Sequence, residues 1–362
     1  MNNYLKYSIL LLLTNQSWLF AQSSIKGEAT LILDQTWDSD GNPQNQTGLR
    51  YIPTWSSSQS QSNGYRVDVE IAGNFSFYKY PDKSRFLLNN NWARFHRGWV
   101  RLTTDRFEAR LGLQKINFGS ARLFRPLAWF DTIDPRDPQK YTTGVTGLRL
   151  RYDFPDNTGV WLWGIFNENL DFDQISENYM LSEFGGRLSY PIGPGEMGLA
   201  YNQRVDYLKL RSWGADGVWD VGIGIWIETA LTNYANFVCY NWLSQLTIGT
   251  DYTFGVGNGL TVTAEINISD SGDAIFSGED QTKLWGLLAS YPVSIMDNLS
   301  LIGIYYPDGD LFYNYFSWHR TYDNWLVQVS TFFITGDESP ELGSAMSTIG
   351  TKGLQLILVY NH

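Results

Sequence analysis

The sequence is short of the residues that most enzymes depend on. It has a single cysteine, Cys239, so no intrachain disulfide can form whatever the compartment. Its three histidines, His96, His319 and His362, stand far apart and suggest no metal cluster. Charged residues make up only 17% of the chain, and the net charge of −11 argues against a nucleic-acid partner. No nucleophile motif or glycine-rich phosphate loop is present, so no enzymatic activity is expected. Past the N-terminal segment, no run approaches the ~20 apolar residues of a membrane helix. The chain is therefore either soluble or crosses a membrane as strands.

The N-terminal segment, MNNYLKYSILLLLTNQSWLFAQSS, has a cation at Lys6, an apolar stretch beginning at Ser8 and a plausible cleavage point at Ala21-Gln22. It reads as a secretory signal peptide over residues 1–21, leaving 22–362 as one domain. Aromatics are plentiful: 15 Trp, 22 Tyr and 20 Phe.

Period-two alternation recurs along the chain. In 148–154, Leu148, Leu150, Tyr152 and Phe154 fall on one face and Arg149, Arg151 and Asp153 on the other. Segments 107–114 and 261–268 divide in the same way, with Arg110 and Glu265 on the polar side. A secreted β-sandwich would alternate too. Three features favour a transmembrane barrel instead: strands of ten or more residues, glycine and full charges on the polar faces, and aromatics near strand ends, as at Trp161/Trp163, Tyr305/Tyr306 and Tyr313/Tyr315/Phe316. Short connections such as 155–157, 193–195 and 297–298 tend to alternate with long polar ones at 168–180, 269–281 and 335–350. The expected fold is all-β: an antiparallel up-and-down barrel of 18 strands, or 16 if the pair near 204–213 is lost. It would lie in the bacterial outer membrane. Its partners would be lipid, small solutes, other copies of the chain, and the barrel-assembly machinery through the apolar C-terminal strand.

The run RLFRPLAWFDTIDPRDPQK, residues 122–140, departs from this pattern. It combines prolines, charges and apolar residues without a period. An apolar loop normally packs against something, and the lumen is the available space. With the preceding Gly112, Gln114 and Gly119, in a G-x-Q-x-x-x-x-G spacing, the stretch resembles a region of Gram-negative outer-membrane porin-like barrels, broadly the alginate-export-like group. That resemblance implies a solute channel narrowed by an inward-folded loop near 118–144.

Between Arg94 and Arg151 lie twelve of the 26 Lys and Arg residues against five acids, a local net of +7. A charge facing lipid costs ~2–4 kcal/mol at mid-membrane, so Arg110, Arg149 and Arg151 should face the lumen, and a basic ring favours anions. The expected pore-lining residues are Arg110, Arg122, Arg125, Trp129, Asp131, Asp134, Arg136, Asp137, Arg149 and Arg151. The loop carboxylates could instead clamp wall arginines through bidentate pairs. A catalytic carboxylate pair is disfavoured, because Asp134 and Asp137 each precede proline, as turn residues do. No cofactor is expected. A loop calcium at Asp270/Asp273 or Asp308/Asp310 is the one exception considered, and two acids at a loop tip are more often simply solvated. The functional expectation is a passive channel for small hydrophilic solutes with an anionic bias. The alternative is a non-conducting barrel that binds polysaccharide or another ligand at the cell surface.

Overall fold

The computed structural model describes residues 22–38, 40–61, 64–79, 92–166, 181–205, 209–235, 240–336 and 351–362. The expected signal peptide, Cys239 and the centres of the connections at 168–180 and 335–350 lie outside the described residues. Eighteen strands form one sheet: β1 (Ser23–Trp37), β2 (Pro43–Ser60), β3 (Arg66–Lys79), β4 (Ala93–Thr103), β5 (Phe107–Gln114), β6 (Val145–Asp153), β7 (Gly159–Phe166), β8 (Leu181–Ile192), β9 (Gly195–Arg204), β10 (Leu210–Asp220), β11 (Gly224–Tyr234), β12 (Trp242–Phe254), β13 (Leu260–Gly272), β14 (Asp280–Pro292), β15 (Asp297–Tyr306), β16 (Leu311–Thr321), β17 (Trp325–Thr335) and β18 (Lys352–Asn361). Each strand pairs antiparallel with its sequence neighbours, and β1 also pairs with β18, so the sheet closes with no free edge.

The alternation settles which face is which. Leu148 and Tyr152 on β6 are exposed on the barrel exterior, as is Phe154 just past its end, whereas Arg149 is 8% exposed. On β13, Ile266 faces out and its neighbours Glu265 and Asn267 are buried within. An exterior band of apolar side chains around a closed sheet, whose strands all pair with neighbours, is what hydrocarbon demands.

The uncertain strand pair is present, with different bounds. In Gly214-Ala215-Asp216-Gly217, the glycines and the aspartate are residues of the kind that favour turns. Those residues lie inside β10, and the turn is at 221–223, where Gly222 takes φ +91° and donates its N–H to Asp220. Small residues serve close approach at this place: a Cβ on Gly214 would come within 2.3 Å of Leu127. The turn expected at 297–298 falls at 293–296, and Asp297 begins β15. The aromatics at Trp161, Trp163, Tyr313 and Tyr315 do not form an outer girdle. Both faces of β7 are apolar, which hid the direction, and Trp161 and Trp163 turn inward with Arg149 and Arg151.

Candidate functional site

β5 ends at Gln114, earlier than the alternation suggests, and residues 115–144 connect it to β6 without a strand. Gln114 is fully buried and its amide donates to the carbonyls of Arg110 and Gly147, which fixes where the connection leaves the wall. Gly119 has φ +101°, and a Cβ there would come within 2.5 Å of the Glu228 carboxylate, so both its conformation and its neighbour require glycine.

Two wall carboxylates then hold the connection by its backbone. Glu228 on β11 accepts from the N–H groups of Ser120 at 2.8 Å, Ala121 at 2.9 Å and Leu127 at 2.7 Å. Glu265 on β13 accepts from Arg122 at 2.6 Å, Leu123 at 2.9 Å and Phe124 at 2.8 Å, and from the Trp226 indole at 2.9 Å. Both carboxylates are almost wholly buried. Several N–H donors converging on one carboxylate supply the compensation that a buried charge needs. Next to them, Ile116, Phe118, Leu127 and Phe130 from the connection pack with Trp163, Ile165, Ala200 and Ala230 of the wall in one apolar cluster.

The second half of the connection meets the wall differently. Gln139 Oε1 accepts from Thr30 and Arg50, and Tyr141 Oη accepts from Asn74 at 2.8 Å and Arg94 at 2.7 Å. The Tyr141 ring stacks on His96, and Arg97 donates to the carbonyls of Thr142 and Thr143. On the other side of β18, Arg136 donates to Tyr313 Oη of β16, and its carbonyl accepts from Tyr315 of β16 and Gln328 of β17. These bonds come from β1–β4 and β16–β17, all through side chains on the inward face.

The expected site residues divide by role. Arg125 forms a bidentate pair with Asp131, and Arg136 with Asp134, so these partners lie within the connection. The expected clamp runs the other way round: wall carboxylates grip loop amides, and the loop's carboxylates do not grip wall arginines. The reason is supply, because loop arginines two and six residues away occupy those carboxylates first. Asp137 accepts from the N–H groups of Gln139 and Tyr141 and so shapes the turn. Burial pushes the Asp134 carboxyl up, but hydrogen bonds from Arg136 outweigh it and hold the group below its ordinary value. Arg136 is raised in turn, chiefly by its bond to Asp134. Arg122 pairs with Asp251 at 3.1 Å. Trp129 packs against the apolar cluster and makes an edge contact with Phe118. On the wall, Arg110 and Arg149 share Glu108, and Arg151 pairs with Asp153.

Two cavities lie along the second half of the connection, and Gln139 lines both. One, of about 390 Å³, opens toward the long-connection end and includes Asp34, Arg50, Asp134, Arg136 and Asp137. The other, of about 650 Å³, lies toward the short-turn end, where β1 begins and β18 ends, and includes Glu28, Glu70, His96, Arg97, Lys115 and Lys140. Of the ten expected residues, Asp134, Arg136 and Asp137 line a cavity described here. Glu28, Arg50, Gln139, Tyr141, Glu228 and Glu265 were not anticipated. Glu265 carried a signal, since the alternation of 261–268 already sets it on the polar, inward face. For calcium, no group of three or more His, Cys, Asp or Glu is placed to hold a metal ion among the described residues. Asp270 instead accepts from Gly278 and Ser277 in the β13–β14 connection.

A closed 18-stranded barrel with an apolar exterior and a polar interior is the architecture of an outer-membrane barrel. No family model and no curated protein matches the chain. Solved structures do. OccK3 (OpdO) of Pseudomonas aeruginosa superposes with a TM-score of 0.67 at 12% identity, covering 97% of this chain and 99% of that one. OccK2 (OpdF) of the same organism gives 0.67 at 10% identity, covering 94% and 97%. OccAB1 of Acinetobacter baumannii gives 0.64 at 11% identity, covering 94% and 96%. At such identity the likeness is one of fold. It supports the porin-like architecture and does not support the narrower resemblance to the alginate-export-like group.

Proposed function

We propose that the protein is a passive channel for small hydrophilic solutes and that residues 115–144 fold into its lumen and narrow it. The observation that carries this reading is the pair of polar cavities meeting at Gln139, one facing each end of the barrel. Solute would pass between the β1–β4 wall and the second half of the connection, with Arg50, Gln139, Tyr141 and Glu28 at the narrow point. The likeness in fold to outer-membrane porins supports the same reading.

An anionic bias would arise in the cavity toward the short turns. Lys26, Arg97, Lys115 and Lys140 line it against Glu28 and Glu70. Lys115 and Lys140 make no ion pair to a described residue, and an unpaired cation acts on a passing ion more strongly than a paired one. By contrast Arg110 and Arg149 share Glu108 and Arg151 pairs with Asp153, so wall acids offset part of their field. The C-terminal strand β18, which pairs with β1 and β17, is the proposed segment read by the assembly machinery.

Reconstitution in a planar bilayer tests the channel. Steady ion conductance is expected, with a reversal potential under a potassium chloride gradient that favours chloride. Absence of conductance would overturn the channel in favour of a surface-binding barrel, and cation preference would overturn the anionic bias.

A further inference from the structure

The cavity toward the long connections has a composition that ion passage does not explain. Its wall is a cross-strand row on the inward face of β18, β1 and β2: Gln355 pairs with Asp34, and Asp34 pairs with Gln46. Paired positions in a sheet place side chains ~5 Å apart on one face. Thr36 and Gln44 form the next pair along the same two strands. The carboxamides of Gln44, Gln46 and Gln355 and the carboxylate of Asp34 all line the cavity, and none of the four makes a side-chain hydrogen bond to a described residue. The arginines there are occupied: Arg136 by Asp134 and Arg50 by Gln139 and Glu28.

An aromatic ring flanks this row. Phe332 on β17 lines the same cavity and stacks on Tyr313. Its ring lies over Gly353 of β18, where a Cβ would come within 2.2 Å. The missing side chain at Gly353 therefore lets an apolar face reach across β18 toward Thr36 and the polar row.

A sugar hydroxyl both donates and accepts. A carboxamide does the same from one planar group, and a carboxylate accepts from two hydroxyls at once. The C–H face of a pyranose ring is apolar and suits an aromatic platform beside such groups. An anion would meet the unbonded Asp34, and a cation would meet three neutral amides for one free carboxylate. A volume of about 390 Å³ is within the range of small-ligand sites, roughly 300–1,000 Å³.

We propose that this cavity is a subsite for hydroxyl-rich solutes of the sugar class, held by Gln46, Asp34 and Gln355 with Phe332 as the stacking face. The proposal rests on the channel reading for its role in passage, but not for binding itself. The experiment is single-channel recording with glucose and maltose added on the long-connection side, and a polyethylene glycol of matched size as control. The sugars are expected to interrupt the ion current in a concentration-dependent way, and the polymer is not. Gln46→Ala and Gln355→Ala should each weaken the block by about ten-fold, the scale of one or two lost hydrogen bonds, while leaving open-channel current intact. Phe332→Leu, which keeps an apolar side chain of similar bulk, should weaken it comparably. Calorimetric titration of maltose into the detergent-solubilised barrel and the same variants reads binding without conductance. Sugar binding in a barrel that does not conduct would overturn the channel and leave the subsite standing. Conductance with neither block nor calorimetric binding would overturn the subsite alone, as would block by a primary amine in place of sugar or block unchanged in all three variants.

Discussion

The first and second halves of the 115–144 connection sit against opposite kinds of wall. From 116 to 130 it is held by two buried carboxylates that take six of its backbone N–H groups, and by an apolar cluster with Leu127 and Ile165 at its centre. From 134 to 143 it is held by hydrogen bonds with long or aromatic side chains, Arg50, Arg94, Arg97 and Tyr315 as donors and Tyr313 as acceptor, with cavities on either side of Gln139. One half excludes water and the other borders it. Backbone anchoring to buried acids suits a fixed element, because the donors cannot change rotamer. Side-chain anchoring suits a passage, because water can replace each bond at little cost.

Removing the fixed half's anchors should have the largest effect. The pair Glu228→Ala and Glu265→Ala strands six N–H groups, and an unsatisfied buried donor costs about 1–3 kcal/mol. The connection should come away from β11 and β13 and single-channel conductance should rise several-fold. Unchanged conductance would mean that the connection does not set the pore's width. Next comes Leu127→Ala. Opening a cavity in the apolar cluster should cost ~2–5 kcal/mol, seen as a lower unfolding temperature in detergent. Conductance should change far less than in the double variant, since the carboxylates still hold.

Tyr141→Phe probes the wet half. It removes the acceptor shared by Arg94 and Asn74, and water should offset most of the ~0.5–1.5 kcal/mol per bond. Thermal stability should hardly move, while the freed Arg94 shifts the reversal potential toward anions. A large fall in stability would show that this half is as dry as the other.

The smallest effect is the acid limb of stability. Asp134 titrates below its ordinary value in the folded chain because Arg136 is beside it. Its contribution is therefore complete above the unfolded value near 3.8 and is lost as pH falls through the lower, folded one. The pair is more than a third exposed, so the effect is modest. Unfolding temperature measured from pH 5 down to pH 2 should fall less steeply in Asp134→Asn than in the parent.

The barrel was legible because hydrocarbon and water impose a strict two-residue period, and strands such as β6 and β13 obey it. The errors came where that contrast fades. β7 is apolar on both faces because its inner face packs under the connection, which buries Trp163 and Ile165 and partly covers Trp161. The small residues at 214–217 imitate a turn because the wall there must make room for Leu127. In both places a long-range contact, invisible to local periodicity, overrode the local signal.

By itself the amino-acid order determined the barrel architecture, the side of the wall that meets lipid, and the one connection that departs from the period, since each follows from the solvent at neighbouring positions. Only the tertiary structure decided what the charges in that connection touch. Asp131 and Asp134 turn to arginines of their own segment, while Glu228 and Glu265, separated from their partners by a hundred residues or more, hold its backbone. A carboxylate binds whichever donors the closed barrel brings within about 3 Å, and that is fixed by closure across the lumen and not by position along the chain.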